Sequence, residues 1–153
     1  MSETILQQTE LEHQYLRHVK DALRGAIAWD VSGEDDLARK LSSMRFVAQS
    51  FQRYLERLFA LEEHDGYMAV ITETHPHLTS KLDTLRSQHE AYREAIRQIM
   101  PRLELIAPDE REAFDAICRE LLTSVDRVAK HNQEETRLLQ DAFCQDTGGE
   151  GGA

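Results

Sequence analysis

The feature that most constrains this chain is the spacing of its apolar residues, which recur every three or four positions along four long stretches. Such spacing places apolar side chains on one face of a helix. The 153 residues include only 7 glycines and 3 prolines, so few residues interrupt these stretches. The pattern predicts four long amphipathic helices. The first two span about 3–29 and 33–73, the third begins at the segment THPHL, and the fourth begins at APDEREAF.

The connections between the four predicted helices are short, which favours antiparallel neighbours. The sequence therefore predicts an all-α fold, an antiparallel up-down-up-down four-helix bundle, as one domain over residues 1–144. The last residues, 145–153, read QDTGGEGGA and are polar and rich in glycine. We expect this tail to be disordered, because it has no large apolar side chains to bury.

Charge and apolar content exclude several classes of function. The net charge is -10, so the surface repels nucleic-acid phosphates and anionic membranes. No apolar stretch approaches the roughly 20 residues that span a bilayer, and the polar, acidic N-terminal segment does not resemble a signal peptide. The two cysteines, Cys118 and Cys144, match no metal-binding or redox motif. We therefore predict free thiols in a cytoplasmic protein that binds neither nucleic acid nor membrane.

Five polar residues interrupt the apolar stripes of the predicted helices. They are His13, Glu62, His89, His131 and Glu135. A charged group rarely enters a core unless it is paired or bound to a metal. For each residue alone, a core side chain hydrogen-bonded to a neighbour is the more common explanation.

The depth of these five residues along the bundle favours a shared site. Each lies about 8–13 residues from the same end of the predicted bundle, which corresponds to a layer only about 8 Å thick at ~1.5 Å per residue. His131 and Glu135 are four positions apart and so lie on one face of their helix. Imidazole and carboxylate donors without nearby cysteine suit iron, manganese or zinc. The layer therefore predicts a metal site.

The segments around these residues resemble the hemerythrin-like HHE cation-binding family. The first helix offers LEHQYLR with His13 directly after Glu12, the third offers LRSQHEAY with His89, and the fourth offers AKHNQEETRLL with His131 and Glu135. The link YMAVITETHPHLTSKLDTL is also similar to that family's passage between helices 2 and 3, and the resemblance covers about residues 9–143. It implies iron as cofactor, in one or two ions, with zinc or manganese as alternatives and O2 as a candidate ligand.

The resemblance also implies a role for each candidate residue. His13, His89 and His131 would be terminal nitrogen ligands, whereas Glu62 and Glu135 would be carboxylate ligands or bridges. The second helix departs from the family pattern, because its segment LERLFALEEHDGYM has Leu58 where the family has a histidine. We therefore expect one well-bound metal, or an asymmetric pair with weak occupancy beside helix 1.

Two alternatives remain open on helix 2. A slip of one residue would use Glu63 instead of Glu62, and neither register contains a histidine. His64 lies two positions beyond Glu62, about 200° around a regular helix, so it is a poor substitute. The histidines at 18, 75 and 77 fall off the apolar stripes and are expected on the surface.

Two functions follow from this reading. The first is a metal-binding protein, non-enzymatic or weakly enzymatic, that senses oxygen or redox state or handles iron. The alternative is a degenerate, metal-free bundle that acts as an interaction or signalling module. A ferritin-like oxidase is less compatible, because such sites use E-x-x-H pairs and this chain offers H-x-x-x-E. A homodimer along the overhanging end of the long second helix is one assembly that the pattern allows.

Overall fold

The chain folds almost entirely into helices. The computed structural model describes residues 2–31, 33–64 and 66–150, with side chains except at residues 2, 3, 5, 6, 9 and 144–150. The elements in chain order are α1 (Ser2–Ala28), α2 (Glu34–His64), α3 (Tyr67–Thr74), a short 3-10 helix (Pro76–Leu78), α4 (Thr79–Leu105) and α5 (Arg111–Glu150). Within these ranges no strand is present, so the all-α prediction is confirmed.

The four long helices form a ring in which each packs against two neighbours. Helix α1 contacts α2 and α5, and α4 contacts the same two helices from the other side. This arrangement confirms the predicted four-helix bundle. Arg45 of α2 stabilises the α4–α5 connection, because its guanidinium donates hydrogen bonds to the carbonyl oxygens of Leu103, Glu104 and Ile106, each at 3.0 Å.

The prediction of one continuous second helix over residues 33–73 is wrong. Helix α2 ends at His64, and α3 begins at Tyr67 after Gly66, whose φ and ψ are -101° and -156°. A Cβ atom at Gly66 would lie 2.8 Å from the Glu62 Cα, so only glycine allows the chain to turn this tightly. Helix α3 then packs on α2 and α4, so residues 67–73 do not extend α2 as predicted.

The last helix continues beyond the predicted domain boundary at residue 144. Helix α5 has 40 residues and remains helical to Glu150, so it includes six residues of the tail for which disorder was predicted. The final three residues, 151–153, lie outside the described part of the chain.

Two further features bear on the sequence-based expectations. No helix in the described ranges is both long enough and apolar enough to cross a membrane. Cys118 is a free, buried thiol, and burial raises its pKa to about 11. The side chain of Cys144 lies outside the described residues.

The apolar core consists of two clusters separated by a polar layer. The larger cluster extends on α2 to Leu58 and Phe59 and on α5 to Val128. The smaller cluster lies under α3, on the other side of the polar layer. Its residues nearest the layer are Leu85 on α4 and Leu138 on α5. The gap falls at one depth in the bundle, and buried polar side chains fill it.

Candidate metal centre

Four polar residues from three helices meet in the gap between the two apolar clusters. Glu62 comes from α2, His89 from α4, and His131 and Glu135 from α5. Their exposed fractions are 5%, 0%, 1% and 1%, and one donor atom from each lies within 4.8 Å of the others. Two imidazoles and two carboxylates at this spacing can hold a metal ion.

The inward-facing nitrogens of the two histidines share one carboxylate oxygen. Nε2 of His89 lies 3.2 Å from Oε1 of Glu135, and Nε2 of His131 is also hydrogen-bonded to that oxygen. Oε2 of Glu62 lies 3.3 Å from Nε2 of His89, yet it is buried and makes no hydrogen bond. The donor atoms therefore converge on one point, and one carboxylate oxygen there lacks a partner.

Both imidazole rings are anchored from outside through their other nitrogen. Nδ1 of His89 faces Oε1 of Glu63 at 2.8 Å, and Arg93 holds Glu63 at 3.0 and 3.2 Å. Nδ1 of His131 faces Oε1 of Gln88 at 2.6 Å. Histidines that bind metals usually donate their second N–H to such an outer oxygen, which fixes the ring orientation.

Aromatic rings restrict the two histidines further. The ring of Phe59 stacks on His89, with centroids 3.9 Å apart and planes 11° apart. The ring of Tyr92 meets His131 at right angles, with centroids 5.4 Å apart. Because packing holds both rings, the Nε2 atoms are oriented towards the centre before any ligand arrives.

These hydrogen bonds provide a test of whether the residues fit a cation. An imidazole that donates from Nδ1 and is neutral presents the lone pair of Nε2 to the centre. In this layer that lone pair would face the carboxylate oxygens of Glu62 and Glu135, which is repulsive. A proton or a metal ion between them removes the repulsion, and the partnerless Oε2 of Glu62 is placed to bind it. The residues fit a metal.

The carboxyl groups of the layer have opposite pKa shifts. Burial acts to raise the pKa of Glu135, but hydrogen bonds from His131 and His89 lower it to about 2. Burial, together with the charge of Glu135, raises the pKa of Glu62 well above its usual value. The same two causes raise the pKa of Glu12, on α1, to about 8. Negative charge is thus concentrated on Glu135, and its neighbours retain protons.

The stability of the metal-free protein should fall as the pH rises from about 4.5 to about 8. Folded Glu12 has a pKa of about 8, whereas an ordinary carboxyl group has 4.5, so the folded state binds more protons in this window. The raised pKa of Glu62 also makes the protein less stable as the pH rises. The lowered pKa of Glu135 has the opposite effect on stability, but only between about pH 2 and 4.5. Urea unfolding in a chelator at pH 5 and pH 8 measures this loss. A Glu12→Gln variant should show a smaller loss, and a wild type equally stable at both pH values would contradict the assignment.

The structure does not place every predicted residue in the group. His13 is only partly buried, and its Nε2 lies 3.4 Å from the Thr136 hydroxyl. Glu62 faces inward, whereas Glu63 contacts Nδ1 of His89 and Arg93. His64 is exposed and lies outside the group.

The prediction that the histidines at 18, 75 and 77 lie on the surface is correct for two of them. His18 and His77 are exposed, but His75 is buried, with its Nδ1 2.7 Å from the Thr74 hydroxyl. The break at Gly66 explains the difference, because the short helix after it carries this segment back onto the bundle.

Sequence reasoning missed three residues beside the group. In the sequence, Glu12 stands out only as the neighbour of His13, and no motif marks Gln88 or Tyr67 as site residues. Successive residues of a helix point about 100° apart, so Glu12 and His13 cannot both face the centre. Both residues are of ligand type in the sequence, and only the packing of α1 distinguishes them: His13 lies beside the Thr136 hydroxyl, whereas burial and the charge of Glu135 raise the pKa of Glu12.

Comparison with known proteins agrees with this geometry. The family model described as the hemerythrin HHE cation binding domain matches residues 4–143, which is nearly the whole chain. Searches of curated proteins and of solved structures found no match. The family resemblance inferred from the motifs is therefore confirmed.

Proposed function

Because the chain belongs to the hemerythrin HHE cation-binding domain family, we propose that it binds iron and senses oxygen or redox state, or handles iron. The proposed ligands are Glu62, His89, His131 and Glu135. The observation that carries the proposal is the convergence of their donor atoms, all within 4.8 Å, in a buried layer. Two imidazole nitrogens and two carboxylates suit iron, with zinc or manganese as alternatives.

Bound iron would supply one-electron chemistry between its two common oxidation states. The chain's own residues would tune and protect it. Glu63 and Gln88 accept hydrogen bonds from the Nδ1 atoms of His89 and His131, which raises the basicity of both ligands. Phe59 covers the face of His89 and excludes water from that side. Such an enclosed, weakly solvated site is suited to sensing more than to rapid turnover of a substrate.

The proposed iron site is asymmetric about the bundle axis. Leu58 is 4% exposed, belongs to the larger apolar cluster and offers no donor atom. The two histidines of the proposed site therefore come from α4 and α5, and α2 contributes no histidine to it. We expect one tightly held ion beside α4 and α5, and we propose that it is held in a cytoplasmic protein, where the Cys118 thiol stays reduced.

A groove between α1 and α2 supports a second candidate function. It has a volume of about 1170 Å³ and is lined by four of the exposed large apolar side chains, Leu11, Tyr15, Phe46 and Leu61. An exposed apolar patch of this kind often marks a protein interaction site. If the polar layer binds no metal, the bundle would act through this surface as an interaction or signalling module.

Metal analysis separates the two functions. The protein, purified from cells supplied with iron and manganese, should carry about one or more ions per chain, and a His89→Ala, His131→Ala variant should carry none. The matched control is His18→Ala, His77→Ala, which removes two exposed histidines and should keep the metal. Folded wild-type protein that takes up no iron, manganese or zinc would leave the interaction module as the better function.

A further inference from the structure

Helix α2 carries a second stripe of side chains that lies outside the core. Phe46, Ser50, Arg53, Arg57 and Leu61 follow one another at intervals of three or four positions and line the groove between α1 and α2. Phe46 and Leu61 are 69% and 40% exposed. A helix of a bundle needs one apolar face for its own core, so apolar side chains on a second face indicate a surface that binds another molecule.

The floor of this groove is held in place by contacts between the two helices. The rings of Tyr15 and Tyr54 lie against each other, with centroids 4.5 Å apart. The Tyr54 hydroxyl also donates a hydrogen bond of 2.9 Å to the backbone carbonyl of Glu12. Leu58 lines the groove and is 4% exposed, so the base of the groove is part of the packed core. A preformed groove loses little conformational entropy when it binds a partner.

The groove is positively charged, although the whole chain has a net charge of -10. Arg53 and Arg57 line it together with one carboxylate, Glu12, so positive charge is in excess even when Glu12 is ionised. Neither arginine forms an ion pair with the described residues, and Arg53 donates only a long hydrogen bond of 3.5 Å to the Gln49 carbonyl. The arginines of α4, in contrast, all pair with carboxylates: Arg86, Arg93, Arg97 and Arg102. The two groove arginines are therefore available to carboxylates of another molecule.

The size and shape of the groove select the class of ligand. Its volume of about 1170 Å³ exceeds the roughly 300–1,000 Å³ of small-molecule pockets. Between Phe46 and His64 it follows α2 for about 27 Å, at ~1.5 Å per residue, which equals about five turns of a second helix. A groove between two helices accepts the ridge of side chains on a third, and peptides often bind proteins in this way.

We propose that this groove binds an acidic amphipathic helix of a partner protein, with apolar side chains packed on Leu11, Phe46 and Leu61 and carboxylates paired with Arg53 and Arg57. The proposal rests on the second candidate function, because it names the partner class for the same groove. It does not require the polar layer to be without metal. A second copy of this chain fits less well, because an isologous contact would place two concave grooves and four arginines face to face.

Fluorescence anisotropy with three labelled helical peptides, each of about 18 residues, tests the proposal. The peptides share leucines at helical spacing and differ only in whether the flanking positions are glutamate, glutamine or lysine. The wild type should bind the glutamate peptide at least about tenfold more tightly than the lysine peptide, with the glutamine peptide between them.

Two variants separate the charged contacts from the apolar ones. Arg53→Gln, Arg57→Gln should weaken the glutamate peptide by roughly tenfold and leave the glutamine peptide nearly unchanged. Phe46→Ala should weaken all three peptides by a similar factor, roughly tenfold. The matched control is Arg39→Gln, Arg97→Gln, which removes the same charge from two exposed positions outside the groove and should leave every affinity unchanged. Circular dichroism checks that each variant is folded.

Titrations in a chelator and with saturating Fe²⁺ distinguish this proposal from metal binding. Metal uptake without binding of the glutamate peptide would overturn the proposal and leave the metal site intact. Binding of that peptide by a chain that takes up no metal would support it. A lysine peptide that binds as tightly as the glutamate peptide, or equal losses in the two double-arginine variants, would overturn the acidic partner. A wild-type dimer in sedimentation velocity that becomes monomeric in Phe46→Ala would overturn it in favour of a second copy.

Discussion

Replacement of Phe59 by alanine should lower the free energy of unfolding by about 3–5 kcal/mol, as expected for removal of a fully buried aromatic side chain. Phe59 is 0% exposed and lies at the edge of the larger apolar cluster, where its ring stacks on His89. The substitution leaves a cavity and frees the His89 ring to rotate. Metal affinity should therefore fall together with stability. Urea unfolding of the metal-free protein measures the first effect, and Fe²⁺ titration without oxygen measures the second.

Phe46→Ala is the matched control, because it removes the same side chain from the same helix. Phe46 is 69% exposed, so its loss should change the free energy of unfolding by no more than about 0.5 kcal/mol. Equal losses in the two variants would mean that Phe59 is not a packed part of the core. A stable Phe59→Ala variant with unchanged Fe²⁺ affinity would show that the stacked ring does not position His89.

Saturation with Fe²⁺ in the absence of oxygen should raise the melting temperature by roughly 5–10 °C. A ligand at 100 times its Kd stabilises the folded state by about 2.7 kcal/mol, and each kcal/mol is worth about 2–4 °C in a protein of this size. The effect is large because the metal removes the repulsion among buried carboxylates and imidazoles. Scanning calorimetry with and without Fe²⁺, both in excess reductant, measures the shift.

Glu135→Gln should abolish most of this shift, because it neutralises the carboxylate that contacts both Nε2 atoms. Glu112→Gln neutralises an exposed carboxylate on the same helix and should leave the shift unchanged. An unaltered shift in Glu135→Gln would indicate that Fe²⁺ stabilises the protein from another site. Equal loss in both variants would indicate a non-specific effect of charge.

The fold could be predicted from the sequence because the apolar spacing is regular and the connections are short. The stripe of α5, for example, is buried from Phe114 to Leu138 as its periodicity predicts. The same periodicity placed His89, His131 and Glu135 at one depth, where the structure has them. The spacing of a regular helix fixes these positions before any tertiary contact is known.

Two features of the structure depend on details that helical spacing does not encode. The break after α2 depends on the room for a side chain at Gly66, which only the folded backbone reveals. The choice between Glu12 and His13 depends on the rotation of α1 by about one residue, or 100°. The packing of α1 on α2 and α5 sets that rotation, and one of its contacts is the hydrogen bond from the Tyr54 hydroxyl to the Glu12 carbonyl. Sequence alone therefore does not decide which of two adjacent residues capable of binding a metal faces the centre.

The division of the core into two apolar clusters has a consequence for how the molecule unfolds in parts. The smaller cluster, under α3, shares few apolar contacts with the larger one, so the two can behave as separate cooperative units. The polar layer separates these two units. Amide hydrogens of α3 should exchange with solvent through partial opening while those near Leu121 exchange only on global unfolding. A metal bound in the polar layer would link the two clusters, so the amide hydrogens of α3 should then exchange as slowly as those near Leu121. Hydrogen exchange of α3 would therefore report whether the metal centre is occupied.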